Sequence, residues 1–272
     1  MKSLCIYHGN CADGFAAAWV FRLRFGDDIE FHPGVYQQPP PPVAGRRIFM
    51  ADFSYKRNVV EDMLKSADSV TLIDHHKTAL EDLRGVLGME HCALDRSGAM
   101  LAWNFCFPDA DPPQLLKHIE DRDLWLFKLP ETREIQAAVF SYPYDFAVWD
   151  GLMAMPVEEL ALQGEAIERK HHKDIAELLG VTQRRMVIDG HNVPIANLPY
   201  TLVSDAAHIM AKGEPFAGCY WDTPEGRVFG LRSTDEGVDV SEVAKKYGGG
   251  GHRNASGFKV SFANAAAFEI AA

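Results

Sequence analysis

Three short apolar runs near the start of the chain each end in side chains able to hold a metal ion. LCIY (4–7) runs into His8 and a loop carrying Asp13, IFMA (48–51) into Asp52, and VTLI (70–73) into Asp74, His75 and His76. A fourth candidate is EDRD (120–123), after the helical run PQLLKHIE. Carboxylate oxygens mixed with imidazole suit Mn²⁺ or another first-row divalent ion better than a soft thiolate site would. Two such ions about 3.5–4 Å apart could share a bridging hydroxide and clamp both ends of an in-line phosphoryl displacement. An aspartate just after a strand is also a common helix N-cap. Asp13 or Asp52 alone would be read as a cap or turn residue, and His75 and His76 alone as helix-surface residues. Three successive strand ends of this kind are what capping does not explain.

A second signal is GGGGHRNASGF (248–258). Glycines such as Gly249, Gly250 and Gly251 expose backbone N–H groups with no side chain in the way, which is how a loop cradles an anion. His252 and Arg253 follow at once, and Arg232 precedes in GLRST. A turn needs two glycines, so four favour phosphate binding over a plain connection.

These residues need elements to position them. Each apolar run of four is short for a helix and follows polar or turn residues, so each reads as a strand. Helical patterns follow: FAAAWVFRLRF, then DFSYKRNVVEDMLKSA, then the segment from DHHKTALEDL. Strand–helix alternation predicts an α/β fold with a parallel sheet, whose carboxyl ends open on one edge where ligands bind. QQPPPPVAG (37–45) is a proline-rich surface connection. From residue 156 the pattern changes to a long helix, with Leu160, Gly164, Ile167, His171, Ile175 and Leu178 along one stripe and Gly180 as a stop signal. His171 and His172 read as a solvated face of it. The predicted organisation is an N-terminal parallel-sheet domain (1–155), a connector helix (156–183) and a smaller C-terminal α/β domain (184–272).

Composition bounds the reading. With 27 Lys+Arg against 38 Asp+Glu, the net charge of −11 disfavours long nucleic acid held by broad phosphate neutralisation. A short phosphorylated ligand is compatible if cations sit in the site. No apolar run approaches a membrane span and MKSLCIYHGN is no signal peptide, so a cytoplasmic protein is expected. The five cysteines form no CxxC pair, which supports neither a disulfide framework nor a zinc knuckle. Four read as buried thiols, with Cys11 set apart by its loop. Trp103, Trp125, Trp149 and Trp221 read as core.

The Asp74-His75-His76 triplet, His8 with Asp13, Asp52 and the distant GGGGH together resemble the DHH phosphoesterase superfamily, in particular members carrying the DHH-associated C-terminal domain: nanoRNase-type oligoribonucleases, cyclic-dinucleotide phosphodiesterases, RecJ-type exonucleases and exopolyphosphatase-like proteins. The resemblance covers nearly the whole chain. It implies two Mn²⁺ ions, with Mg²⁺ or Co²⁺ as alternatives, held by His8, Asp13, Asp52, His75 and Asp121, with Asp52 bridging. Asp121 is favoured over Asp123 because DRDLW resembles the family's acid-to-aromatic run. It implies that Asp74 orients His75 through a hydrogen bond and that His76 faces the scissile phosphate. Arg232, His252 and the backbone of Gly249, Gly250 and Gly251 would hold substrate phosphates.

One departure stands out: the family's first motif carries two aspartates, and here only Asp13 is present, with Asn10 or Cys11 as partial replacements. The leading expectation is a metal-dependent phosphoesterase acting on short oligonucleotides or nucleotides through a metal-activated hydroxide, with a homodimer left open. An exopolyphosphatase-like hydrolase is the alternative enzyme, and a nucleotide-binding protein with a degraded metal centre is the alternative of another class.

Overall fold

The computed structural model describes residues 2–9, 11–265 and 268. The chain divides into two compact units, 1–168 and 169–272. In the first unit, β1 (Ser3–His8), α1 (Ala12–Phe25), β2 (Ile29–Gly34), β3 (Arg47–Ala51), α2 (Arg57–Leu64), β4 (Ser69–Ile73) and α3 (Lys77–Leu83) build a four-stranded sheet in the order β2-β1-β3-β4. Every pairing in it is parallel. Cys5, Ile6, Met50, Ala51 and Ile73 are fully buried, as strands covered on both faces require.

Five helices follow: α4 (Gly98–Cys106), α5 (Gln114–Asp123), α6 (Thr132–Val139), α7 (Phe146–Ala154) and α8 (Val157–Thr182). The alanines of α1 (Ala16, Ala17, Ala18) are fully buried and let it pack tightly between β1 and α4. At Gly164 an added Cβ would lie 1.7 Å from the Glu134 carbonyl oxygen, so only glycine lets α8 close on α6.

The second unit begins inside α8 and contains β5 (Gln183–Ile188), β6 (His191–Asn197), α9 (Val203–Met210), β7 (Ala217–Thr223), β8 (Gly226–Arg232), α10 (Val240–Lys246), β9 (Gly250–Gly251) and β10 (Ala255–Val260). Its sheet runs β5-β6-β7-β8-β10-β9, antiparallel except where β6 meets β7. Phe216, Phe229 and Leu231 centre its core.

Three expectations change. His171 is not simply solvated, since its Nε2 lies 3.1 Å from Asp205 Oδ2 on α9. Trp103 and Trp149 are buried, but Trp125 and Trp221 are only half-buried. Cys5, Cys106 and Cys219 are buried, while Cys92 is half-buried like Cys11. No helix among the described residues is long and apolar enough to cross a membrane.

Candidate metal centre

Because β1, β3 and β4 are parallel neighbours, the residues at their carboxyl ends meet although up to 68 positions separate them (His8 to His76). Asp52 leaves β3 in the left-handed region (φ 55°) while its N–H continues the ladder to the Ile73 carbonyl at 2.8 Å. That turn aims a buried carboxylate at both neighbours. Its Oδ1 lies 3.1 Å from His75 Nε2 and its Oδ2 3.5 Å from His8 Nδ1.

Asp13, in the first turn of α1, accepts from the N–H groups of Gly98 (2.7 Å) and Ala99 (3.1 Å) at the start of α4. Its Oδ2 is also 3.8 Å from His75 Nε2. The glycines at these approaches are sterically required. A Cβ on Gly98 would sit 2.4 Å from that of Asp52, and one on Gly14 2.3 Å from the His8 carbonyl oxygen.

The fourth acid differs from the sequence reading, which favoured Asp121. The Asp121 carboxylate accepts from Lys128 N–H (2.9 Å), Leu129 N–H (3.1 Å) and the Thr132 hydroxyl (2.7 Å), so it ties down the loop after α5. Asp123, two residues on and therefore on another helix face, puts its Oδ2 3.5 Å from His75 Nε2. Asp74 also differs in what it orients. Its Oδ1 accepts from the backbone N–H groups of His75 (2.7 Å) and His76 (3.2 Å), and the ring it meets is that of His76, at Nδ1 (2.7 Å).

Within the first unit the donors fall into two groups, His8–Asp52–His76 and Asp13–His75–Asp123, each with its ligand atoms within 4.8 Å of one another. Asp52 links them. One His75 nitrogen thus faces three carboxylates. Burial pushes the Asp13 carboxyl well up, and the charges of Asp123 and Asp52 push it further. Burial likewise raises Asp123. Burial alone would lower His8 and His75, but both are raised: hydrogen bonds to Asp52 and Cys11 outweigh it at His8, and the Asp123 charge with the Asp52 hydrogen bond does so at His75. Burial opposes ionisation of Asp52 too, yet its hydrogen bonds to His75 and His8 hold it well below the usual carboxylate range. Four acids, Asp13, Asp52, Asp74 and Asp123, stand against three imidazoles, His8, His75 and His76. Buried carboxylates in that condition fit a divalent cation, and hard oxygens with imidazole nitrogens are the donor set of a first-row ion.

The sequence reading missed Gly98, whose role is visible only once α4 lies against Asp52. It also missed Tyr36, whose ring meets His8 edge-on at 5.4 Å from just before the proline-rich connection. Cys11 caps α1 by position, without a side-chain cap bond, and its thiol meets His8. Asn10 lies outside the described residues.

In the second unit, Arg232 on β8 donates to Ser204 Oγ at 2.9 Å and to the Leu231 carbonyl at 2.8 Å. The glycine run forms a tight hairpin, Gly250 and Gly251 pairing with Gly257 and Ser256 of β10. Cβ atoms on Gly249 and Gly251 would lie 2.1 Å and 2.6 Å from the Gly257 and Ala255 carbonyl oxygens of β10, so close packing accounts for these two glycines. His252 N–H donates to the Ala255 carbonyl at 2.9 Å across the turn.

No family model matches the chain. It is 29% identical to an uncharacterized protein of Acanthamoeba polyphaga mimivirus, over 94% of this chain and 67% of that one. It is 24% identical to the oligoribonuclease NrnB of Bacillus subtilis, over 94% of this chain and 72% of that one. Among solved structures, the DHH domain of a member of a ribosomal-protein family superposes with a TM-score of 0.60 at 11% identity, covering 97% of this chain and 84% of that one. With the Asp74-His75-His76 triplet closing β4 among these acids, the chain has the fold of the DHH-domain proteins.

Proposed function

We propose that the protein is a divalent-metal-dependent phosphoesterase hydrolysing phosphate esters of short oligonucleotides or nucleotides, with Mn²⁺ as the preferred ion. The observation that carries this reading is the pair of donor groups joined through Asp52. His8, Asp13, Asp52, His75 and Asp123 would hold the ions. Bound there, they supply Lewis-acid polarisation of phosphoryl oxygens and a water nucleophilic at neutral pH. The chain's own residues do the rest. Asp52 presents one oxygen to each donor group. Asp74, by holding His76 Nδ1, fixes that ring so that Nε2 is the nitrogen offered to the substrate, where it stabilises charge or protonates the leaving oxygen. Arg232 and His252 are assigned to holding a substrate phosphate within their own unit; the glycine cradle expected from sequence is not carried over, because Gly249 N–H donates to the Ala244 carbonyl at 2.9 Å and Gly250 and Gly251 pair with β10. The Bacillus relative's description as an oligoribonuclease supports the substrate class, and a net charge of −11 argues against long duplexes.

The test is Mn²⁺-dependent hydrolysis of a panel: a 5′-phosphorylated dinucleotide, cyclic dinucleotides, nucleoside monophosphates and polyphosphate. Cleavage of a nucleotide class, abolished in Asp52→Ala and His75→Ala, is the expected result. Equal activity in those variants would remove the chemistry from this site. Silence across the panel with metal bound would make the protein a nucleotide binder with a degraded centre.

A further inference from the structure

The loop leaving the metal centre holds its aromatic side chains at a cost, and outside the core. Trp125 (φ 59°) and Phe127 (φ 48°) both adopt the left-handed conformation, which L residues with bulky side chains rarely take, and Glu131 (φ 60°) does so again at the loop's end. Backbone strain of this kind persists only where surrounding contacts over-determine it, and it clusters at functional sites. Here the determining contacts come from Asp121. Its carboxylate holds Lys128 N–H, Leu129 N–H and the Thr132 hydroxyl, and its carbonyl accepts from Leu126 N–H at 2.9 Å. The loop conformation is thus tied to a buried acid as well as to the contacts of the rings themselves.

Those rings are laid out with two guanidinium groups. Arg122 stands over Trp125 at 4.2 Å and Arg133 over Phe127 at 3.7 Å. The two rings meet edge-on at 5.0 Å, and Phe140, half exposed, lies 5.9 Å from Arg122. Trp125 and Phe127 are half-buried and belong to none of the buried core clusters. The position is as informative as the composition. Asp123, whose carboxylate reaches His75 at 3.5 Å, is only two residues before Trp125, a reach of at most about 7 Å. Flat aromatic faces interleaved with arginine are the surface on which nucleobases stack, and such stacking tolerates any base because each has a π face.

We propose that the Arg122–Trp125–Phe127–Arg133 cluster is a nucleobase platform that seats the base next to the phosphate being hydrolysed, Trp125 being the stacking residue. This rests on the phosphoesterase reading for its position beside the reacting phosphate. It adds a substrate requirement to it: a nucleobase on the sugar adjoining the scissile bond, with little preference among the four.

Two measurements test it. The first compares kcat/KM for a 5′-phosphorylated dinucleotide with that for the same compound lacking the base beside the scissile phosphate. The wild-type preference for the complete substrate should shrink about tenfold in Trp125→Ala, mainly through KM, and be largely restored in Trp125→Phe. An unaltered preference in Trp125→Ala would overturn the platform while leaving the phosphoesterase intact. The second follows tryptophan fluorescence as a dinucleotide with a non-hydrolysable methylene-phosphonate linkage binds in the presence of Mn²⁺. Quenching in the wild type that is lost in Trp125→Phe is expected, and it would uphold the platform even if the natural dinucleotide were not cleaved. Quenching that persists in Trp125→Phe, or no binding at all, would overturn it.

Discussion

At the carboxyl ends of β1, β3 and β4, acids crowd together, the buried Asp52 and Asp13 and the half-buried Asp123 facing the single His75 Nε2 at 3.1, 3.8 and 3.5 Å. Along the second unit's sheet, charges meet one to one at the surface: Arg227 with Asp222 at 2.8 Å, Arg185 with Glu214 at 2.8 Å, Lys246 with Asp189 at 2.7 Å. Exposed pairs of the second kind are satisfied as they stand and contribute little. A buried cluster with more acid than base is relieved by holding protons or by binding a cation. The contrast separates charge kept for chemistry from charge kept for solubility, and it can be broken by substitution.

The largest effect is expected at the joint between the donor groups. Asp52→Ala should lower Mn²⁺ affinity and hydrolysis by about a hundredfold or more, read by metal titration and initial rates. Next come the two acids of α5, which the structure gives opposite roles. Asp121→Ala strips an acceptor from two backbone N–H groups and the Thr132 hydroxyl and should cost about 3 kcal/mol in denaturant unfolding. Asp123→Asn should weaken metal binding with little change in the stability of the chelated protein. If Asp121→Ala instead removed metal binding at unchanged stability, the assignment of the two acids would be reversed. Gly98→Ala, which forces a Cβ to 2.4 Å from that of Asp52, should destabilise by about 2 kcal/mol and reduce metal affinity with it.

The pH dependence carries its own sign. Asp13 and Asp123 are raised above their ordinary 3.8, so the folded protein holds protons there that the unfolded chain has lost, and stability falls as pH climbs from 3.8 through the folded values. His8 and His75 are raised above 6.5. Their contribution is complete below 6.5 and is lost as pH climbs through their folded values. Asp52, held low, acts only on the acid side of 3.8. Chelated protein should therefore lose thermal stability as pH climbs above 3.8, and lose more as it climbs above 6.5, while added Mn²⁺ stabilises more as pH rises because its ligands bind deprotonated. Melting curves with and without chelator check both slopes. The smallest effect belongs to the second unit: Asp222→Asn should stay within about 0.5 kcal/mol of wild type, and a larger loss would weaken the contrast.

Much of this was legible in the sequence, for a definite reason. β1, β3 and β4 are buried on both faces and so appear as unbroken apolar runs, and parallel pairing then dictates that His8, Asp52 and His75 share an edge. β2 was missed because IEFHPG is a half-exposed edge strand ending in Pro33 and Gly34, with no apolar run to mark it. β6 was hidden by Pro194, which a strand tolerates only where its missing N–H is not needed. The choice between Asp121 and Asp123 depends on how α5 is rotated against β4, a tertiary fact that spacing does not carry. The glycine run shows the limit from the other side. Its composition pointed to an anion cradle, and the hairpin gives Gly249 and Gly251 a packing reason that sequence alone does not distinguish from one.

The central claim, that Asp52 joins two donor groups into one binuclear centre, is tested most directly by titrating metal-free protein with Mn²⁺ and following the electron paramagnetic resonance signal. Two ions per chain with a spin-coupled signal, reduced in Asp52→Ala to a single uncoupled ion or none, is the result the geometry predicts. No Mn²⁺ bound by the wild type, or an identical coupled signal in Asp52→Ala, would contradict it.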